Sequence, residues 1–162
     1  DTSGDTPLLW GSMKGRLDIV KYLVDMKANI EAKGQYGYTP LLWGSVHGRL
    51  DIVKYLIGMR ANIEASLIAG SMEGQMDIAK CLIGMKANIE ARDDSGDTPL
   101  IWGSKRGRFD VIKYLVDMNA NIEAKGKYGC TPLIAGSVKG HLDIVRYLVA
   151  MNANIEAENR SG

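Results

Sequence analysis

Residues 6–32 decide the fold, because most of their sequence returns four more times along the chain. They read TPLLWGSMKGRLDIVKYLVDMKANIEA. A Gly-Ser pair recurs with its glycine at positions 11, 44, 70, 103 and 136, so the spacings are 33, 26, 33 and 33 residues. Each copy closes with Ala-Asn-Ile-Glu-Ala, which begins at positions 28, 61, 87, 120 and 153. Self-similarity at a fixed period indicates a repeat protein whose copies stack into one array.

Each copy is predicted to fold as two short helices and a protruding turn, which we call the finger. Thr6 is a good N-cap, and Pro7 at the first helical position gives up no useful hydrogen bond. The first helix should end near Gly15. A second helix should follow, since the next apolar residues recur at helical spacing: Leu17, Ile19, Val20, Leu23 and Val24. Neither helix can bury its apolar stripe alone, so neighbouring copies must cover each other.

These motifs resemble the ankyrin repeat. Four copies open with Thr-Pro-Leu, at Thr6, Thr39, Thr98 and Thr131, and residues 140–145 read GHLDIV, which is similar to the entry of the family's second helix. The period of 33 residues matches as well. The resemblance implies an all-α ankyrin-repeat solenoid of helix–turn–helix units with protruding β-turn fingers. It also implies a protein-binding role for the concave surface that the fingers and first helices build.

The chain departs from the family pattern at three positions of the repeat. The family's histidine after Thr-Pro-Leu is replaced by apolar residues, Leu9, Leu42, Ile101 and Ile134. The family's small alanine pair is Gly-Ser, and since glycine inside a helix costs roughly 1 kcal/mol, we expect close helix packing there. The left-handed glycine that follows the second helix is replaced by Lys27, Arg60, Lys86, Asn119 and Asn152.

The whole chain is predicted to form one domain. The copies span residues 1–33, 34–65, 66–92, 93–125 and 126–158, and residues 159–162 begin a further repeat. The third copy is short by about seven residues, because only Ser66 separates Ala65 from Leu67 where the second copy has residues 33–40. Loss of the finger should leave Leu67 without an N-cap and collapse the stacking. We therefore expect the natural molecule to carry about seven further residues at this point.

Composition and charge argue against several classes of protein. Lys and Arg total 20 against 19 for Asp and Glu, a net charge of +1, so the basic excess of a nucleic-acid-binding domain is missing. No apolar run approaches the roughly 20 residues that span a bilayer. The chain has no initiator Met and no signal peptide, so we expect a soluble segment of a longer protein. Two unpaired cysteines, Cys81 and Cys130, favour a reducing, cytoplasmic location, with Cys130 exposed and oxidisable.

The sequence offers little material for catalysis, and no enzyme activity, cofactor or metal site is predicted. The only histidines, His47 and His141, lie in different copies, and His141 stands where the family carries a structural histidine. One acidic residue begins each second helix, where a negative charge suits the helix dipole: Asp18, Asp51, Asp77, Asp110 and Asp143. One methionine recurs near each second-helix end, which favours packing between copies over a soft binding strip: Met26, Met59, Met85, Met118 and Met151.

The candidate binding residues are those that vary where the scaffold does not force them. They lie in the fingers and on the first helices: Trp10, Lys14, Tyr36, Tyr38, Trp43, His47, Trp102, Lys105, Arg106, Tyr128 and Lys139. Trp10 and Lys14 are four residues apart and so share a helix face, as do two further pairs, Trp43 with His47 and Trp102 with Arg106. Trp, Tyr and Arg dominate binding hot spots, and the flanking charges tune orientation and rate. The alternative, that the tryptophans fill gaps between copies, stays open.

The predicted function is therefore a scaffold that binds a partner protein along a groove of fingers and first helices. The identity of the partner cannot be read from the sequence, because repeat scaffolds are reused for unrelated targets. Three alternatives remain: a targeting arm that recruits substrates to a larger enzyme, a structural array that associates with itself end to end through exposed apolar faces, and an engineered binder. Small apolar changes at one core position, such as Leu17, Met76 and Phe109, favour natural duplication over the third.

Overall fold

The computed structural model describes residues 4–34 and 36–159. Gln35 lies outside the described residues, as do residues 1–3 and 160–162, which include most of the predicted further repeat. The described ranges hold ten α-helices and no β-strand, which confirms the all-α prediction. The helices are α1 (Pro7–Lys14), α2 (Leu17–Asp25), α3 (Pro40–Val46), α4 (Leu50–Gly58), α5 (Ser66–Glu73), α6 (Met76–Gly84), α7 (Pro99–Arg106), α8 (Phe109–Asp117), α9 (Pro132–Lys139) and α10 (Leu142–Ala150). A tight turn covers Lys127–Gly129, and its central residue, Tyr128, has a left-handed φ of 58°.

Four of the five first helices begin as the sequence predicts. The hydroxyl oxygen of each Thr-Pro threonine accepts a hydrogen bond from the N–H three residues later, at 3.3 Å for Thr6, Thr39 and Thr131 and 3.4 Å for Thr98. This bond satisfies an N–H that the helix itself leaves unpaired. At the other end, Gly15 adopts a φ of 73° and ends α1. Both ends of the first helix are thus fixed by local sequence.

The second helices end in a left-handed residue that is never glycine. In the first copy Lys27 has a φ of 68°, and its N–H donates to Val24 O at 2.9 Å. The N–H of Ala28 donates to Leu23 O, also at 2.9 Å, which completes a Schellman motif. The same conformation occurs at Arg60, Lys86, Asn119 and Asn152, so the predicted left-handed ends are confirmed.

Replacing Lys27 with glycine is expected to raise the free energy of unfolding by about 1 kcal/mol, because glycine adopts this conformation without the steric cost of a Cβ. Asn119→Gly should stabilise the protein less, since asparagine tolerates left-handed backbone better than lysine does. Urea denaturation of the two variants and the parent measures both changes. A midpoint for Lys27→Gly at or below that of the parent would contradict the strain.

The helices stack in chain order in two layers. In the first layer each of α1, α3, α5, α7 and α9 lies against the next, and in the second layer α2, α4, α6, α8 and α10 do the same. One apolar core runs through all five copies, and it includes a fully buried leucine from the first helix of several copies, such as Leu8, Leu67 and Leu100. Each copy therefore supplies the apolar wall that its neighbour lacks.

The helical glycines let the two helices of one copy approach closely. A Cβ on Gly11 would lie 3.3 Å from Val20 Cγ2, and one on Gly103 would lie 3.2 Å from Ile112 Cγ1. Both distances are shorter than an ordinary carbon–carbon contact of about 3.5–4.0 Å. The close packing that the Gly-Ser substitution predicted is confirmed.

Polar side chains tie successive copies together just before the second helices. They reach a backbone carbonyl of the preceding copy: Arg49 Nε to Met13 O (3.3 Å), Gln75 Nε2 to Val46 O (3.2 Å), Arg108 Nε to Met72 O (3.1 Å) and His141 Nε2 to Lys105 O (3.4 Å). His141 thus holds two copies together, which confirms its predicted structural role.

The shortened third copy joins the stack without a finger. The chain passes directly from residues 61–65 into α5, and the N–H of Ser66 donates to Ile63 O at 3.1 Å. The N-cap residue, Ala65, gives α5 no side-chain cap, as expected. The predicted collapse is wrong, because α5 lies against both α3 and α7 and Leu67 is fully buried. A lost cap costs only about 1 kcal/mol, which this burial outweighs. The seven additional residues stay a prediction.

The methionine row does not form the predicted packing between copies. The five residues are 39–62% exposed: Met26, Met59, Met85, Met118 and Met151. Each is the C-cap of its second helix and so lies beyond the last helical turn that packs on the neighbouring copy. The prediction was wrong because the recurrence of a residue at one position of the repeat does not show whether that position is buried or exposed.

Candidate functional site

An aromatic cluster joins the second finger to α3. The ring of Trp43 lies 5.0 Å from that of Tyr38 and 6.5 Å from that of Tyr36, in edge-to-face arrangements. His47 follows Trp43 by four residues, and the centroids of the two rings lie 5.4 Å apart. The Nδ1 of His47 is 3.1 Å from Trp43 O. Trp43 and Tyr38 are half-buried, whereas Tyr36 is 69% exposed. The finger is thereby fixed on its helix, with one aromatic ring left open to a ligand.

Trp102 occupies the equivalent position of α7 and is held from two directions. Its indole N–H donates to Asp93 Oδ2 of the fourth finger at 2.7 Å. The ring centroid lies 4.9 Å from Lys105 Nζ and 5.9 Å from Arg106 Cζ, which are cation–π distances. The indole is therefore a rigid, half-buried surface with cations at its edge.

Lys105 also pairs with a buried carboxylate, which the sequence did not predict. Its ammonium donates to Asp97 Oδ2, and the Asp97 side chain is only 2% exposed. The other oxygen, Asp97 Oδ1, accepts from the N–H of Lys127 in the next finger at 3.3 Å. A Cβ on Gly126 would collide with the same oxygen, so a larger residue there would displace the buried carboxylate. Asp97 links the fourth finger to the fifth.

The remaining candidate residues lie in the first and fifth copies. Lys14 Nζ lies 5.6 Å from the ring centroid of Trp10, which is 37% exposed. Tyr128 is 60% exposed at the tip of the fifth finger, where its φ is 58° and Lys127 Nζ lies 5.0 Å from its ring. Lys139 is exposed at the end of α9. These side chains are accessible, and the same-face pairing predicted for Trp10 and Lys14 is confirmed.

A cleft of about 590 Å³ opens where the third finger is missing. Tyr36 and Tyr38 of the second finger line one side, and residues 92–94 together with the Trp102 ring of α7 line the other. The floor is apolar and consists of Ile68, Ala69 and Met72 of α5 together with Leu42. Sequence reasoning found the missing finger but not the cleft that it leaves.

An acid at the start of a second helix has a local structural role. Asp51 Oδ1, at the start of α4, accepts from the N–H of Ile52 at 2.8 Å. In residues 4–34 and 36–159 no group of three or more His, Cys, Asp or Glu side chains is placed to hold a metal ion. The thiols of Cys81 and Cys130 are both free.

Cys130 is half-buried rather than exposed, contrary to expectation. It packs against Ile101, Ala124 and Ala135. Burial raises the pKa of its thiol; the nearby Lys105 ammonium opposes this effect and Asp97 adds to it. A raised pKa lowers the thiolate fraction, so this thiol is less easily oxidised than an exposed cysteine.

The paired helices, the fingers and their order match a known family. The family model described as ankyrin repeats (3 copies) matches residues 1–66 and 67–159. The chain belongs to the ankyrin repeat family. Ankyrin repeats are in general protein–protein interaction modules. Comparison with curated proteins finds no match.

The apolar substitutions that distinguish this ankyrin array pack as the sequence predicted in two of the copies. Leu9 and Ile101 are 1% and 0% exposed. A Cβ on Gly34 would lie 3.0 Å from Leu9 Cδ1, and one on Gly126 would lie 3.1 Å from Ile101 Cδ1. The residue after Thr-Pro-Leu thus contacts the base of the next finger through apolar surface.

None of the ankyrin helices within the described ranges has the length and apolar character that crossing a bilayer requires.

Proposed function

We propose that this ankyrin array binds a partner protein on the face formed by its fingers and first helices, which we call the groove. The observation that supports the proposal is the cleft itself, because its walls are finger residues and its floor is a first helix. Both element types therefore share one accessible face. Apolar and aromatic surface in a concavity, with a few polar groups around it, is typical of a binding site.

The anchors proposed for this groove are its aromatic residues. Trp43 and Trp102 are half-buried and held by their own fingers, so little side-chain entropy is lost when a partner covers them. Tyr36 and Tyr128 are the exposed rings that a partner can bury. Preorganised aromatic residues of this kind carry most of the energy in many interfaces.

The cations of the groove are proposed to orient the partner. They are Lys14, Lys105, Arg106 and Lys139, with His47 as a further polar group, all on or next to the last turns of first helices. Lys105 should attract a partner less strongly than the other cations, because its ammonium is already paired with Asp97. Exposed charges at the margin of an interface mainly change the association rate and its salt dependence.

Trp43→Ala combined with Trp102→Ala is expected to weaken capture of the partner at least about tenfold, since the loss of even one hot-spot ring costs upwards of roughly 1.4 kcal/mol, which is tenfold in affinity. Quantitative affinity purification with wild type and variant as bait measures the loss, after circular dichroism has established that the variant is folded. Tyr22→Ala is the control, because Tyr22 is 65% exposed on α2, outside the groove. Undiminished capture by the folded double variant would refute the groove.

Self-association is the second candidate function, and exposed apolar residues of the fifth copy favour it. Val138, Leu142 and Ile155 are 59–72% exposed. Val138 and Ile155 border a shallow cleft of about 350 Å³. Light scattering at increasing protein concentration distinguishes this candidate, because only a self-associating array gains mass.

A further inference from the structure

The cleft at the third copy exists because three features of a regular copy are missing there together. The finger is absent, α5 begins without a threonine cap, and Ala69 stands where the first, second and fourth copies carry tryptophan. No ring of the third copy therefore fills the space between the second and fourth fingers. Its volume of about 590 Å³ lies within the range of small-ligand sites, roughly 300–1,000 Å³.

The missing finger also releases a carboxylate into the cleft. In three copies the glutamate of Ala-Asn-Ile-Glu-Ala accepts from an asparagine N–H of the next copy: Glu31 from Asn62 (2.8 Å), Glu90 from Asn121 (2.8 Å) and Glu123 from Asn154 (2.7 Å). Those partners are 31 residues apart, but Glu64 and Asn88 are only 24 apart. Both Glu64 and Asn88 line the cleft instead.

The charge of the cleft is negative. Its lining acids are Glu64, Asp93 and Asp94, against one lining cation, Arg92. A second cation, Arg106, borders the cleft, because its Nη2 lies 3.8 Å from Met72 Sδ of the floor. The Nη1 of Arg92 donates to Gly96 O at 2.7 Å and to Lys125 O at 2.8 Å, so this guanidinium is engaged with the fourth and fifth fingers. Asp93 is committed to the indole N–H of Trp102 and to its own finger, which leaves the exposed Glu64 and Asp94 facing a ligand.

Acids beside aromatic walls select a particular cation. Tyr36, Tyr38 and Trp102 border the same space, and aromatic faces attract cations within about 6 Å. Lys105 and Arg106 already lie within that distance of the Trp102 ring, so Tyr36 and Tyr38 are the rings left for a further cation. A guanidinium stacks on such faces and bonds a carboxylate with two parallel N–H groups, whereas an ammonium is a compact point charge. The apolar floor of Ile68 and Ala69 suits the methylene stem of a long side chain.

We propose that the cleft of the 162-residue chain receives an arginine side chain from an extended segment of the partner protein. This inference rests on the proposed function and deepens it, because it names the chemistry that one part of the groove selects. Glu64 and Asp94 pair with the guanidinium, the rings of Tyr36 and Tyr38 stack on it, and α5 forms the floor. The partner segment takes the place of the finger that the third copy lacks, so this proposal and the prediction of seven additional residues exclude each other: a finger at Ser66 would fill the cleft.

Peptides that differ only at one central residue test the proposal on the full chain. The probes are seven-residue peptides with glycine and serine flanks and Arg, Lys, Gln or Glu at the centre, titrated into ¹⁵N-labelled protein. The arginine peptide is expected to shift the amide signals of Glu64 and Asp94 and the indole signal of Trp102, with lysine weaker. Equal shifts from the Gln or Glu peptide, or none from the Arg peptide, would overturn the proposal.

Two variants locate the binding. Glu64→Gln plus Asp94→Asn is expected to weaken arginine-peptide binding at least about fivefold, a typical loss for charge-assisted pairs. Asp18→Asn plus Asp143→Asn is the charge-matched control, since both residues are exposed at second-helix starts, away from the cleft. Similar losses in both pairs would mean that net charge, not the cleft, attracts the peptide, and would contradict the proposal.

A finger-restored variant separates this inference from the proposed function. Replacing Ser66 with the sequence of residues 33–40, KGQYGYTP, rebuilds the finger and fills the cleft. The arginine-peptide shifts should disappear, whereas the loss of partner capture in Trp43→Ala plus Trp102→Ala is measured independently on the parent chain. Persistent peptide binding by the finger-restored variant would refute the cleft even where the groove itself is established.

Discussion

Leu100→Ala is expected to lower the free energy of unfolding by about 2–5 kcal/mol, the largest stability change that the array predicts for one residue. Leu100 is 1% exposed in α7, which lies between α5 and α9. The change removes apolar contacts with two neighbouring copies at once and leaves a cavity that short helices held by fingers cannot readily close.

Leu142→Ala is the matched control for that substitution. Leu142 begins α10 and is 59% exposed, so the same chemical change there should alter stability by only about 0.5 kcal/mol. Urea denaturation followed by circular dichroism measures both variants. Similar losses at the two positions would mean that the fourth copy is not enclosed by its neighbours.

Asp97→Ala is expected to destabilise the protein by about 2–3 kcal/mol, because it removes the buried acceptor of the Lys105 ammonium and of the Lys127 N–H. The loss should fall below that of a fully buried ion pair, since the Lys105 side chain is 24% exposed and water can solvate its ammonium. Asp94→Ala is the control, because Asp94 is exposed in the same finger.

A double-mutant cycle checks that the Asp97 effect arises from the pair. Lys105→Met should destabilise the parent but add little in the Asp97→Ala background, because residues in contact are not additive. Asp97→Asn, which keeps the acceptor oxygen and removes the charge, should lose less than Asp97→Ala. Additive losses from Asp97 and Lys105 would show that each acts through other contacts.

Local sequence was sufficient to predict the helices and their ends. Thr6 and Pro7 specify a helix start whatever surrounds them. A repeat of only 33 residues can bury its apolar residues only by stacking on the neighbouring copies. The left-handed conformation of Lys27 followed from its place after a helix, where the hydrogen-bonding pattern demands it. These features depend on neighbours within a few residues or on recurrence, both of which a single sequence displays.

Features that occur in one copy only were not predictable. The pairing of Lys105 with Asp97 depends on side-chain conformations in the fourth copy, and the other copies do not repeat the pair in sequence. Exposure of Met26 depends on where a helix end lies relative to the next copy, which recurrence leaves undetermined. The cleft at α5 arises from an absence, and its charge follows from a register difference of seven residues that leaves Glu64 without its usual partner position.

Distances along the array, measured by pulsed electron spin resonance, test the ordered stacking of the copies. Each labelled chain carries two spin labels, one in place of Met26 and one in place of a further exposed methionine: Met59, Met85, Met118 or Met151. Cys81→Ser and Cys130→Ser remove the two free thiols, which would otherwise also react with the label. Ordered stacking predicts that the separation grows by roughly 10 Å with each copy, and by the same step across the shortened third copy. A label on the fifth copy that lies closer to Met26 than one on the third would contradict it.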